Sequence, residues 1–403
     1  MRLFSKKGLF FLFCKVMNII LFDNQTRANL LPFTFTRPTA EIRIGISTIR
    51  EKWERALKTQ ASFFTQDYLS ELFPIALTND NFFIAGNLLP DTQLINALKA
   101  MQRGEVLKDT QNDVLALRAG SFEEFIDLEH FKTLIYSQKT TTIQRKQDIF
   151  SLNNDILIND FKELTRRRKS AVLSSSNKLI GDIKNLFIEE GAKIEGAIIN
   201  CETGPVYIGY DAQIMEGSCV RGPFALLDES VVKMGTKIYG ATTVGPHSRV
   251  GGELNNVVMF GYSNKGHDGF LGNAVIGEWC NIGAGSDASN LKNNYGEVAQ
   301  WNYASQSYEN TGVQFCGLMM GDHSKCSIGS MFNTGTVVGI CCNVYGSEFH
   351  RSFIPSFSMG SRAKGYIQNS IEKVLESERA MFLRRDIEMS QSYINILKHL
   401  CNL

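Results

Sequence analysis

No CxxC pair occurs among the nine cysteines of this 403-residue chain, which removes the usual sequence basis for a zinc or dithiol site. The cysteines (Cys14, Cys201, Cys219, Cys280, Cys316, Cys326, Cys341, Cys342 and Cys401) are scattered, as small core residues are in a reducing compartment. A cytoplasmic location is therefore expected. An excess of charge of one sign is also lacking. The 42 basic and 41 acidic residues leave no net field to attract nucleic acid or an anionic membrane surface. No stretch approaches the ~18 apolar residues of a membrane span. Neither nucleic acid nor a membrane is an expected partner.

Residues 1–16, MRLFSKKGLFFLFCKV, place Lys6 and Lys7 before a short apolar run. Lys15 ends that run and no small-residue cleavage site follows. The expectation is an upstream start or a disordered extension, with the first domain opening at Met17.

Residues 17–178 alternate strand-like and helix-like segments. NIILF (Asn18 to Phe22) and NFFIA (Asn81 to Ala85) read as buried strands. Ile42, Ile46, Ile49, Trp53 and Leu57 recur at helical spacing, and Asp91 caps a helix carrying Leu94, Leu98 and Met101. Val114 to Leu117 is a further strand. Such alternation predicts an α/β domain with a largely parallel sheet. The run Arg166 to Lys169, followed by Ser174 to Ser176, reads as a solvated helix end or linker and marks the boundary.

Beyond it the pattern changes. Ile208, Ile214, Val220, Leu226, Val232, Ile238, Val244 and Val250 stand six apart. A small residue follows four positions after nearly every one of them. The period returns at Phe270, Ile276 and Ile282, and again from Met320 through Cys326, Phe332 and Val338 to Val344. Neither a helix nor a heptad generates a period of six; a hexapeptide β-helix does. Residues 179–365 are therefore read as a left-handed parallel β-helix and 366–403 as a C-terminal helix. The period lapses over 251–269 and from 284 to about 317, where the chain is expected to loop out on a binding face.

Lys265 and His267 fall in the first lapse, beside glycines that allow close backbone approach. An imidazole can take a proton from an amine at neutral pH, and a lysine can hold a phosphate as a point charge. The stretch KGHDGFLGNAVIGEWCNIGAG (265–285) resembles the acetyltransferase half of the GlmU family, whose members acetylate glucosamine-1-phosphate and uridylylate the product. The resemblance covers roughly residues 205–350. It implies His267 as general base and Phe270 at the position of a substrate-site tyrosine. Asn281 and Asn290 would contact sugar and cofactor, Lys265 and Arg249 the substrate phosphate, and Ser330 the acetyl-CoA channel. A homotrimer with sites between adjacent coils is implied as well. Phe270 lacks the tyrosine hydroxyl, and Asn290 is followed by Leu291 rather than tyrosine, departures that bear on the acceptor sugar.

The segment ILFDNQTRANLLPFTFTRP (20–38) resembles the opening of sugar-1-phosphate nucleotidyltransferases, whose glycine-rich loop cradles nucleotide phosphates. Here there is no glycine from Leu21 to Ile44, Thr39 replaces the lysine, and Asn87 replaces the metal-binding aspartate. The resemblance leaves Arg27 and Arg37 as nucleotide-binding residues, with Asp23 and Glu41 as carboxylates for Mg²⁺ if the domain is active. The whole chain resembles GlmU-like sugar nucleotidyltransferases. Three functions follow from this: acetyl-CoA-dependent acyl transfer to a hexosamine-1-phosphate with nucleotidyl transfer or sugar-nucleotide binding in the first domain, a nucleotidyltransferase whose coil serves assembly or regulation, or a non-catalytic sugar-nucleotide scaffold.

Overall fold

The computed structural model describes residues 17–120 and 128–403; the extension read at 1–16 lies outside them. A six-stranded sheet forms the N-terminal core, in the order Ala61–Phe64, Asn18–Phe22, Asn81–Ala85, Val114–Ala119, Glu105–Lys108, Lys132–Ile135. Asn18–Phe22 sits inside the sheet, parallel to both neighbours, which is why its run is apolar without alternation. The sheet is mixed rather than largely parallel. Glu105–Lys108 and Val114–Ala119 are joined by a short turn and pair antiparallel, the only arrangement so short a connection permits. The helix expected from Ile42 starts later, at Ile49. Gly45, at φ +68°, first folds Arg43–Ile44 back on Ser47–Thr48, and Thr48 then closes a capping box with Glu51. Asp91 caps Thr92–Ala100 as its sequence predicts.

The coil begins with strand Lys178–Ile180 and stacks short parallel strands on three faces. Together with the α/β sheet it gives the expected fold class, an α/β domain and a left-handed parallel β-helix. One interior column runs Ile194, Ile214, Val232, Val250, Lys265 and continues through Ile282, Cys326 and Val344. Each aliphatic member is removed from water by the turns above and below, a gain of about 1.5–3 kcal/mol per side chain. Lys265 is the exception in that column.

The two lapses in the period differ in kind. Along this column Val232 to Val250 spans 18 residues, while Val250 to Lys265 spans 15. On the next face Leu254 to Leu271 spans 17. The first lapse is thus a shortening of the coil's turns, not a loop. It also moves the phase by one residue, so that Leu271 faces inward and Phe270 does not. The second lapse is a true loop-out between Ala288 and Met320. Its hairpin, Ala299–Asn302 with Ser307–Asn310, reaches the first domain, where Asn302 Nδ2 donates to Asn29 Oδ1 (3.3 Å) and Gln147 Nε2 to Thr311 O (3.1 Å).

The single C-terminal helix expected is two, Ile371–Leu383 and Gln391–Cys401. Asp386 takes a left-handed conformation (φ +56°), and Ser390 caps the second helix by accepting from Tyr393 N. The first helix docks on the side of the coil through a stacked ladder of Phe382, Trp279, Tyr262 and His247, with centroid spacings of 4.0, 4.3 and 4.6 Å. Buried Glu378 accepts from Lys325 and pairs with His323, whose other ring nitrogen meets Tyr393 Oη at 2.7 Å. The second helix stacks His399 on Tyr68 of the first domain.

Candidate functional site

The shortened turn explains the geometry around His267. Gly251 and Gly252 lie directly beneath the Gly266–Gly269 corner. A Cβ at Gly251 would come within 2.6 Å of Gly266 O, and one at Gly252 within 2.7 Å of Gly269 O. Only glycine lets the two corners approach so closely. His267 is exposed at the top of this support, lining a pocket of about 410 Å³ with Lys233, Met234, Asp268 and Ala284.

Lys265 does not point into that pocket. It occupies an inward position, is 2 % exposed, and its Nζ donates to His267 O at 2.6 Å. The phosphate contact expected of it gives way to an internal one, since shortening the coil turns its side chain into the interior column. Burial brings the ammonium down from 10.5 to about 8, against the pull of Asp287 and Asp268. An unfolded chain keeps this proton up to about 10.5, whereas the folded chain releases it near 8. Between these values the unfolded state binds more protons, so this group makes stability rise with pH. Urea titrations at pH 7.5 and pH 10 should show that rise reduced in Lys265→Met relative to the native chain. An identical pH response in both would contradict the burial of the charge.

At the start of the Asn264–Lys265 strand, whose far end leads to the His267 corner, lies a second pocket of about 400 Å³. Arg249, Asn264 and Asn281 line it from successive coil turns, and Arg384 and Arg385 from the end of the first C-terminal helix. Asn264 Nδ2 donates to Asn281 Oδ1 (2.9 Å), and Arg385 Nη2 to His247 O (3.0 Å). Burial, then the charges of Arg249 and Arg384, hold Arg385 below its ordinary value. Arg384 and Arg385 were not legible as site residues, because nothing in the sequence says where a helix end docks.

The remaining coil residues fall elsewhere. Phe270 and Asn290 meet over Gly272, whose added Cβ would lie 2.6 Å from each side chain, and Asn290 Nδ2 donates to Asn273 Oδ1 (2.7 Å). Ser330 is fully buried and donates to Ser327 O at 2.8 Å, the same inward contact that Ser230 and Thr336 make at their corners.

In the first domain, Asp23, Asn24 and Asn87 gather at the carboxyl ends of their parallel strands, with Asn24 Nδ2 donating to Asn87 Oδ1 (3.1 Å). Asp23 accepts from Thr39 N (2.8 Å) and Thr65 Oγ1 (2.6 Å), and its carboxylate lies 3.3 Å from Arg27 Nε. Arg27 in turn donates to Thr34 O and Tyr68 Oη. Arg37 leaves this end of the sheet altogether. It is buried against Asp322 and Glu278 of the coil, whose charges raise its proton affinity despite the cost of burial. Glu41 pairs with Arg50. Mg²⁺ is usually held by one or two carboxylates together with substrate phosphates. Both Asp23 oxygens already accept hydrogen bonds, Glu41 is paired with Arg50, and Asn87 offers only an amide, so these residues fit Mg²⁺ poorly.

Residues 19–169 match the family model for sugar nucleotidyl transferases. No curated protein matches the chain. Among solved structures, AntD, an N-acyltransferase from Bacillus cereus in complex with dTDP and 3-hydroxybutyryl-CoA, is 14% identical, covers 54% of this chain and 100% of its own, and has a TM-score of 0.24. The UDP-N-acetylglucosamine acyltransferase of Arabidopsis is 15% identical (54% of this chain, 78% of that one, TM-score 0.23). That of Campylobacter jejuni is 14% identical (57% and 94%, TM-score 0.23). At such TM-scores these likenesses decide neither the geometry nor the chemistry of the site. No helix among the described residues is long and apolar enough to cross a membrane.

Proposed function

We propose that the coil catalyses acyl transfer from acetyl-CoA, or a similar short acyl-CoA, to the amine of a phosphate-bearing amino sugar, with His267 as general base. The observation that carries this reading is the placement of an exposed imidazole and an arginine-lined pocket at the two ends of one strand. His267 takes a proton from the amine as its nitrogen attacks the thioester carbonyl. The new C–N bond forms, the C–S bond breaks, and the thiolate of CoA leaves to take up a proton. Lys265 contributes by position, its ammonium holding the His267 carbonyl and so the corner that presents the imidazole. Arg249 and Asn281 face the acceptor's phosphate and sugar. Phe270 and Asn290 form a separate contact, and Ser330 a corner of the wall beneath it.

In the first domain we assign a sugar-nucleotide-binding or structural role. Its match to nucleotidyl transferases supports the ligand class, while the commitment of Asp23, Arg27 and Arg37 to internal contacts argues against a metal-dependent transfer there. We expect a homotrimer in the cytoplasm. The coil face bearing exposed Ile198 and Cys219 beside Ile180 and Tyr239 is available to a neighbouring copy.

The reading is tested by following CoA release from acetyl-CoA in the presence of glucosamine-1-phosphate, glucosamine, or no acceptor. Release that depends on the phosphorylated amine is expected. Equal release with glucosamine would remove the arginine pocket from the mechanism.

A further inference from the structure

We infer that Arg384 and Arg385, delivered by the C-terminal helix, complete with Arg249 a binding pocket for the phosphate of a small-molecule phosphate ester. This deepens the acyl-transfer reading and rests on it for the ligand's identity, though not for the presence of an anion site.

Three guanidiniums face a space of about 400 Å³, and among the described residues none is within ion-pair distance of a carboxylate. The carboxylate among the charges that act on Arg385 is Glu229, which is itself exposed and lies 3.2 Å from His247. Asp386 follows directly in the chain but does not line the pocket. Like charges brought together without a counter-charge oppose folding. An anion bound among them would relieve that repulsion. Arginine is suited to this, since its planar fork matches two phosphate oxygens at once.

The positions are also fixed before any ligand arrives. The aromatic ladder from Phe382 to His247 sets the helix end on the coil, and the bond from Arg385 to His247 O fastens it there. Asn281 completes the lining, its Oδ1 already engaged by Asn264 and its amide nitrogen left as a donor. The C-terminal segment therefore does more than cover the coil: it supplies two of the three cations.

A phosphate here could belong to the acceptor sugar or to CoA, and calorimetric titration separates the two. The intact protein, Arg384→Ala, Arg385→Ala and Arg379→Ala are each titrated with inorganic phosphate, glucosamine-1-phosphate and CoA. Arg379 is an exposed residue of the same helix outside the pocket, and its removal should change nothing. Loss of at least about tenfold in affinity for phosphate and glucosamine-1-phosphate in both pocket variants is expected, with CoA unaffected. Loss confined to CoA would overturn the acceptor assignment and support the pocket as a site for the donor's phosphate. Unchanged affinities in the pocket variants, or no binding of any of the three by the native protein, would overturn the site. The Arg384 side chain is exposed and makes no hydrogen bond or ion pair among those described, so Arg384→Ala reports on binding even if Arg385→Ala folds poorly. Retained phosphate binding in a protein that transfers no acyl group would sink the proposed reaction and leave this pocket standing.

Discussion

Asp322→Ala should destabilise the protein by about 3–5 kcal/mol, because it strands a buried guanidinium. Asp322 is fully buried. One carboxylate oxygen accepts from Glu278 N at 2.8 Å, and the other accepts from Thr36 and Arg37 of the first domain. Arg37 is 5 % exposed, and among the described residues its other ion-pair partner is Glu278 at 3.2 Å, with the Phe260 ring 5.2 Å from its guanidinium carbon. Equilibrium unfolding in urea measures the loss. The double variant Arg37→Met/Asp322→Ala should recover part of it, since removing both charges costs less than orphaning one. A loss below about 1 kcal/mol in the single variant would mean that water reaches Arg37 and that this contact does not tie the two domains together.

His267→Ala should reduce acyl transfer by about 10² to 10⁴, the usual contribution of a positioned general base, with little change in stability because the side chain is exposed. The expected loss is in kcat rather than in acceptor affinity, since the phosphate pocket lies at the other end of the strand. Initial rates at saturating acceptor, with thermal melting as a check on the fold, measure it. A variant that keeps its kcat would leave the imidazole without a catalytic role.

The sequence made the coil legible because a period of six admits one architecture, and each aliphatic residue in it reports an interior position. It could not reveal that the first lapse deletes residues. From sequence alone a shortened turn and a loop look the same, and only the register shows Lys265 above Val250 and Leu271, rather than Phe270, above Leu254. The same ambiguity hid the role of Lys265, whose charge suggests a ligand and whose position makes it a buried tether. In the first domain, the strands around Ile20 and Phe83 were readable from apolar runs. The antiparallel turn of the sheet rests on the short connection after Lys108. Arg37 looked like a phosphate ligand because it follows the motif. Its true partner, Asp322, is 285 residues away, a separation no local pattern can bridge. Arg384 and Arg385 escaped for a related reason: the break at Asp386 and the stacking of Phe382 on Trp279 decide where they end.

Mass spectrometry of the intact protein's reaction with acetyl-CoA and glucosamine-1-phosphate distinguishes amide formation by the coil from binding alone. An N-acetylated sugar phosphate is expected in equal amount to free CoA, with near absence of both in His267→Ala. A folded protein that binds the sugar phosphate yet yields no acylated product, from this or any other phosphorylated amino sugar with acetyl-CoA, would contradict amide formation by the coil.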